Sequence, residues 1–393
     1  MKKILLAILF CFLSIFAFAN DWEFGSEGEH IIPLKGSNMS IKKEKITLKL
    51  TPDGMLVNVK FVFDSPNAEN KIIGFITPES GNGGYYEEEN VIRKPEPLKI
   101  KNFKTTINGK EVKSNVELLS KLLSKGVLDN NIVTEYVKEE KEKEYYNYVY
   151  YFNADFKQGE NIVEHSYFYT GSYGVYEREF GYVVTTISKW KNQTVEDFEI
   201  EVQPGAYFVR LPYTFWNDAK KIDWKIVGKG KMVSLAPTKP ANDEDASDIE
   251  KFGRVYIKLD NNSSIRYKTK KFSPNSNFYA TRIDNVLGFD YEFPEGKVQG
   301  YKFKDDYFTT LRETVYDDYS NIIGSLKDLK DKDLDIVRNY PYAFAGYDFA
   351  RKDLKDYFSQ FVWYNPVGKN VKIDPSFNNI IKAVNEIKAK RKK

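Results

Sequence analysis

Val337 to Pro366, VRNYPYAFAGYDFARKDLKDYFSQFVWYNP, decides the architecture of this 393-residue chain. Leu334 and Val337 share a helical face ahead of Tyr340. Pro341 lacks the N–H that would continue the ladder, so the helix is expected to break, kink or restart there. After Gly346, the residues Leu354, Tyr357, Phe358 and Phe361 follow i, i+3, i+4, i+7, the spacing of an amphipathic helix. Trp363-Tyr364-Asn365-Pro366 stops it. Downstream, Asp374-Pro375 reads as an N-cap with a first-turn proline. Phe377, Ile380, Ile381, Val384 and Ile387 then form a last apolar stripe. Three short helices that each bury one stripe need one another, and Trp363 and Tyr364 are expected to close their shared core.

This tract resembles the YARHG domain, a small module of secreted and surface-attached bacterial proteins. The name-giving residues fall on Tyr342, Ala343, Phe344, Ala345 and Gly346, so Phe344 and Ala345 stand where the arginine and histidine are usual. The two polar residues best suited to chemistry are absent, while the packing residues remain. The resemblance marks Arg338, Asn339, Tyr342, Ala343, Gly346, Phe349, Leu354, Phe358, Trp363, Tyr364 and Pro366 as motif residues, mostly structural. It implies an accessory role outside the cytoplasm, since the module accompanies peptidases and other surface domains. The module is expected over about residues 327–393, preceded by a connecting segment, 301–326, whose pattern fits strand or helix.

Residues 20–300 read mainly as strands, with a possible sub-domain break near 128–144. Lys45 to Thr51 alternates apolar and polar at period two, Pro52-Asp53-Gly54 offers a turn, and Met55 to Asp64 supplies the partner, with Gly54 available for a positive φ. Asn108-Gly109 repeats the logic between Phe103 to Ile107 and Glu111-Val112. Val116 to Val127 fits a short covering helix, through Val116, Leu119, Leu122 and Leu123. Further strands are expected at Tyr145 to Phe156, Asn161 to Tyr169, Phe180 to Ser188, Glu196 to Val202, Tyr207 to Pro212, Val255 to Leu259 and Ile265 to Lys271. Ser234 to Gly253, with two prolines and an acidic run, reads as an exposed loop, and Lys138 to Glu144 as a solvated charged run. Strands at this spacing suggest sandwich-like β-domains. Ser40 to Pro78 and Gly181 to Val202 are also similar to segments of a secreted bacterial β-domain family that is itself of unknown function.

The N-terminus reads as an export signal. Lys2 and Lys3 precede an apolar stretch from Ile4 to Phe16, and Ala17-Phe18-Ala19 has the form of a cleavage site, which makes residues 1–19 the signal peptide. The apolar run is short of the roughly 20 residues a spanning helix needs, and no later run replaces it. Cys11 is the only cysteine and would leave with the signal, so disulfides, thiolate catalysis and cysteine zinc sites are not expected. Without Lys2 and Lys3 the chain carries 59 − 2 = 57 basic against 56 acidic side chains. Such a balance lacks the basic footprint of a nucleic-acid binder.

The search for chemistry gives no catalytic, cofactor-binding or metal residue. Glu27 and His30 have the Glu-x-x-His spacing of di-iron helices, but that chemistry needs two such pairs. His165 falls in a strand pattern, which favours a hydrogen-bonded sheet histidine, and no Gly-x-Ser-x-Gly elbow accompanies it. Ser40/Lys43 and Ser188/Lys191 match Ser-x-x-Lys, both in β-type patterns and without the partner motifs. Asp243 to Glu250 lacks the order of a calcium loop. The aromatic row Tyr145, Tyr146, Tyr148, Tyr150, Tyr151 and Phe152 fits a strand between two packed layers or a sugar-stacking face. The basic tail Lys388 to Lys393 could meet an anionic surface.

The reading is an α+β multidomain protein: a mainly-β, sandwich-like N-terminal region followed by a small α-helical C-terminal module. Its expected role is non-catalytic binding at the cell wall or with another envelope protein, in the periplasm or at the cell surface, with no cofactor and no nucleic acid. The alternatives are an envelope hydrolase and a structural assembly component.

Overall fold

A computed structural model describes residues 31–33, 38–77, 99–128, 148–243 and 245–392. The signal segment, Cys11, Glu27, His30, the charged run 138–144, and Tyr145 and Tyr146 lie outside these. In chain order the strands are β1 (Ile31–Pro33), β2 (Ser40–Thr51), β3 (Gly54–Ser65), β4 (Glu69–Ile76), β5 (Ile100–Ile107), β6 (Lys110–Val112), β7 (Asn115–Leu118), β8 (Tyr148–Phe156), β9 (Gly159–Tyr169), β10 (Ser172–Tyr173), β11 (Glu177–Tyr182), β12 (Val195–Gln203), β13 (Phe208–Pro212), β14 (Lys225–Val227), β15 (Gly230–Leu235), β16 (Arg254–Leu259), β17 (Ser264–Phe272), β18 (Phe278–Ile283), β19 (Lys297–Val298) and β20 (Tyr301–Lys302). The helices are α1 (Leu119–Ser124), α2 (Asp248–Phe252), α3 (Asp306–Thr314), α4 (Tyr319–Leu326), α5 (Asp331–Phe344), α6 (Lys352–Ser359) and α7 (Asn378–Arg391).

The mainly-β region and the helical C-terminus are as the sequence led one to expect. An eight-stranded sheet, β14-β17-β12-β2-β3-β9-β5-β6, faces a six-stranded sheet, β10-β11-β18-β13-β16-β15, and a four-stranded sheet, β1-β4-β8-β7, adds to the same core. The alternation of β2 places Ile46, Leu48 and Leu50 inside and Lys45 and Lys49 outside. At its turn, Gly54 does not adopt a positive φ. It is required instead by close approach, since a Cβ there would lie 2.4 Å from the Tyr169 carbonyl oxygen. Asn108 and Gly109 do take positive φ, 51° and 77°, as a tight two-residue hairpin demands.

The six-stranded sheet is buried on both faces. Phe180, Val209, Leu211, Val255, Ile257 and Ala280 point into the sandwich. Phe208, Tyr256, Ile283 and Val233 point the other way, into a second core completed by the C-terminal helices. Trp363 and Tyr364 sit in that core, so it is shared with the sheet and not enclosed by three helices alone. Asp305 caps α3 by accepting from Phe308 N at 3.0 Å, and it also accepts from the hydroxyls of Tyr340 and Tyr357. The module is thereby tied to the segment before it.

Several local expectations change. The α5 helix runs through Pro341 to Phe344, because the missing N–H falls in its last turn and costs one ladder bond. The α6 helix stops at Ser359, and Phe361 lies beyond it, bridged to Lys302. The 301–326 segment is β20 followed by α3 and α4. Val116 belongs to β7, and helix starts only at Leu119. Strand β11 ends at Tyr182, and a 3-10 turn, Thr185–Lys189, holds Ser188. Ser234 lies in β15, and Ser247-x-x-Glu250 forms a capping box that starts α2, so Ser234 to Gly253 is not a plain loop.

Candidate functional site

Strand register sets side chains in rows across the outer face of the six-stranded sheet. One row is Glu177, Ile283, Phe208, Lys258 and Lys231; the next is Glu179, Thr281, Arg210, Tyr256 and Val233. Two lysines directly opposite on neighbouring strands repel unless each is given acceptors. Lys231 Nζ donates to the carbonyl oxygens of Ser359, Phe361 and Tyr364 at 3.0, 2.9 and 2.7 Å, clasping the end of α6 and the Trp-Tyr stop to the sheet. Lys258 Nζ donates to the Ala206 carbonyl. Burial pulls both ammonium groups down to about 8.

Beside Lys258 opens a cleft of about 310 Å³ at the seam between sheet and helices. Its wall includes Tyr207, Phe344 and Trp363, and its polar groups include Lys258, Asp284, Asn285, Lys372 and Asp374. Asp284 is held by Arg282 in a two-pronged pair at 2.6 and 2.8 Å. Asp374 accepts from Ser376 N at 2.9 Å and caps the 3-10 turn before α7. Tyr316 closes one side, its hydroxyl accepting from Asn285 Nδ2 at 3.2 Å. Phe344 and Ala345, which occupy the arginine and histidine positions of the YARHG tract, both line this cleft. Neither the cleft nor its lysines was legible in the sequence, because Lys258 reads as the solvent side of an ordinary strand.

Farther along the sheet lies a charged cluster. Arg210 pairs with buried Glu292, donates to Thr281 Oγ1 at 3.0 Å, and lies 3.8 Å from Glu179. Tyr256 donates to Glu292 at 3.2 Å. Burial raises the Glu177 carboxyl to about 7; Arg210 opposes the rise, and Glu292 and Glu179 add to it. A carboxyl in that range can hold or release a proton near neutrality.

The motif residues divide by environment. Ala343, Phe349, Leu354, Phe358, Trp363 and Tyr364 are buried, and Pro366 is exposed. Trp363 Nε1 donates to Phe303 O at 2.6 Å, and Tyr364 donates to Tyr347 O at 2.8 Å. Arg338 donates to Asn385 and Asn339 to Asp335 O. Tyr342 packs edge-on against Tyr347. Gly346 takes φ 76° where the chain turns from α5. His165 is buried in the sandwich, 3.4 Å from Thr105 Oγ1 and ringed by Phe61, Phe75 and Phe103, away from the cleft. In β8, Tyr150 and Phe152 are buried while Tyr148 and Tyr151 are half-buried. Among the described residues, no three His, Asp or Glu side chains gather to hold a metal ion. The basic tail is largely engaged within the fold: Lys388 pairs with Asp335, Lys390 with Glu386, and Arg391 with Asp331.

The family model of the YARHG domain matches residues 322–389, from within α4 to within α7. A crystal structure from Legionella pneumophila, of a protein provisionally assigned as nutrient-binding, is similar over 92% of this chain and 98% of that one, with TM-score 0.55 and 17% identity. At that identity the likeness speaks for the fold alone. An aminopeptidase A of the same organism, solved with aspartic acid, aligns at TM-score 0.24 and 7% identity over 65% of this chain and 23% of its own, too low for a shared fold. No curated protein matches the chain.

Proposed function

We propose that this is an exported bacterial envelope protein that binds a wall component or another envelope protein and does not itself catalyse. The observation that carries the reading is the cleft at the seam, where aromatic walls meet ammonium groups that have no carboxylate partner among the described residues. Three further points support it: the signal-like N-terminus, a C-terminal module similar to one found on extracytoplasmic proteins, and a fold shared with a protein provisionally assigned to nutrient binding. Among the described residues no helix is long and apolar enough to cross a membrane. Sedimentation of the mature chain with isolated cell walls at low salt tests wall binding. Pelleting with the walls is expected; a chain left wholly in the supernatant contradicts it. A second reading, an envelope hydrolase, is favoured by Glu177 alone, whose carboxyl sits near neutrality beside Arg210 and two further glutamates. Release of wall fragments by the wild type and not by Glu177→Gln would establish that reading over the first.

A further inference from the structure

We infer that the cleft is an oxyanion site, taking a small carboxylate or phosphate carried on an apolar body, with the Lys258 ammonium as its counter-charge. The inference rests on the binding reading above and names the ligand class for the same site.

The charges around the cleft decide the sign of the ligand. Asp284 is paired with Arg282, and Asp374 keeps its negative charge while capping the Ser376 N–H, so on the lining the ammonium groups of Lys258 and Lys372 outnumber the remaining carboxylate by one. Among the described residues neither Lys258 nor Lys372 has a carboxylate within ion-pair distance. Lys258 is given one neutral acceptor, the Ala206 carbonyl, and its cross-strand neighbour Lys231 adds positive charge while spending its own donors on three carbonyls. A half-buried ammonium without a counter-ion is costly, and an anion that reaches it from the cleft is attracted in a medium less screening than water. The rest of the wall supplies rings: Tyr207, Phe344 and Trp363. An anionic head on an apolar body fits both halves, and 310 Å³ limits the ligand to small molecules or the end of a larger one.

Burial holds Lys258 at about 8 in the free protein. A bound anion favours the charged form, so binding takes up a proton above that pH and weakens as pH rises. The groups facing Lys258 across the cleft are Asp284, Lys372, Asp374 and the phenols of Tyr207 and Tyr316, with Lys231 behind it on the sheet.

Titration calorimetry on the full mature chain, with N-acetylphenylalanine, its neutral carboxamide and phenyl phosphate as probes, tests the site. At pH 7 the carboxylate, the phosphate or both are expected to bind at least tenfold more tightly than the amide; which acid wins separates the two anion sources. Affinity for the winning acid is expected to fall severalfold between pH 7.5 and 9. Lys258→Met, confirmed folded by its melting curve, is expected to lose at least tenfold. Equal binding of acid and amide, or a flat pH profile, overturns the inference; the pH arm needs no variant to fold. If neither acid binds while the chain pellets with walls, the ligand class fails and the binding reading stands. If the chain also stays in the supernatant, both fail.

Discussion

Replacing Trp363 by alanine in the full chain removes the ring on which the second core closes. Trp363 is 2% exposed. Its ring centroid lies 4.7 Å from that of Phe344, 4.9 Å from Phe361 and 6.0 Å from Tyr340. Truncating a large buried aromatic costs about 3–5 kcal/mol, and leaving the Phe303 carbonyl without its 2.6 Å donor adds about 1 kcal/mol. A loss of about 4–6 kcal/mol is therefore expected. Trp363→Phe keeps most of the ring stacking and loses the indole donor, so about 1–2 kcal/mol is expected. Equilibrium urea unfolding, followed by far-ultraviolet circular dichroism, measures both. The experiment belongs in the full chain because Phe208, Val233 and Tyr256 of the sheet share the core. A Trp363→Ala loss under about 1 kcal/mol, with the slope of the transition unchanged, would refute the core assignment.

Three further outcomes follow from the same geometry. Gly346→Ala places a Cβ at φ 76°, 3.0 Å from Val367 Cγ2, and is expected to cost about 1–2 kcal/mol in the same urea assay; Gly346→Asn should cost less, since asparagine tolerates that conformation. Lys231→Met takes the donor from three carbonyl oxygens and also removes an ammonium that burial disfavours, so its cost is expected to stay under about 1 kcal/mol at pH 7 and to grow as pH rises from about 8 to 10. Because Lys231 titrates at about 8 when folded and near 10.4 when unfolded, the unfolded chain binds more protons between those values. Stability contributed through this group therefore rises with pH from about 8 to 10, and the variant should lose that part of the slope in melting curves. For Glu177 the sign reverses: its folded carboxyl stays protonated up to about 7, so its cost appears as pH rises above the unfolded value and is complete above 7. Glu177→Gln should be more stable than the wild type by about 2 kcal/mol at pH 8, roughly half the ideal linkage figure because the carboxyl is partly exposed, and equal to it near pH 4; a constant difference across that range would contradict the burial argument.

What could be read from the sequence was whatever local pattern decides. The β2–β3 hairpin was visible because Ile46, Leu48 and Leu50 alternate with lysines and threonine before Pro52-Asp53-Gly54. The helical stripe of Leu354 and Phe358, and the capping role of Asp374, were visible for the same reason. The second buried face of the six-stranded sheet was not. Arg210, Lys258, Lys231 and Glu179 occupy alternate positions that ordinarily face water, and only chain from far downstream covers that face: Phe289 and Glu292 over Arg210, and Ser359 to Tyr364 over Lys231. The cleft and the charged cluster both lie on that face, so neither could be found from spacing. Glu177 and Glu179 precede the apolar residues by which β11 was recognised. Thr309-Thr310-Leu311 in α3 has strand-like composition, and helix wins there because Asp305 caps it and Phe308 and Leu311 reach the shared core. The Ser247-x-x-Glu250 capping box was readable, and the two prolines before it hid it.

The most direct test of binding at the seam is hydrogen-exchange mass spectrometry of the full mature chain with and without solubilised wall fragments. Slowed exchange is expected at 206–208, 284–287 and 372–377, three of the segments that line the cleft. Protection confined to the outer edges of the eight-stranded sheet, with these three segments unchanged, would contradict it.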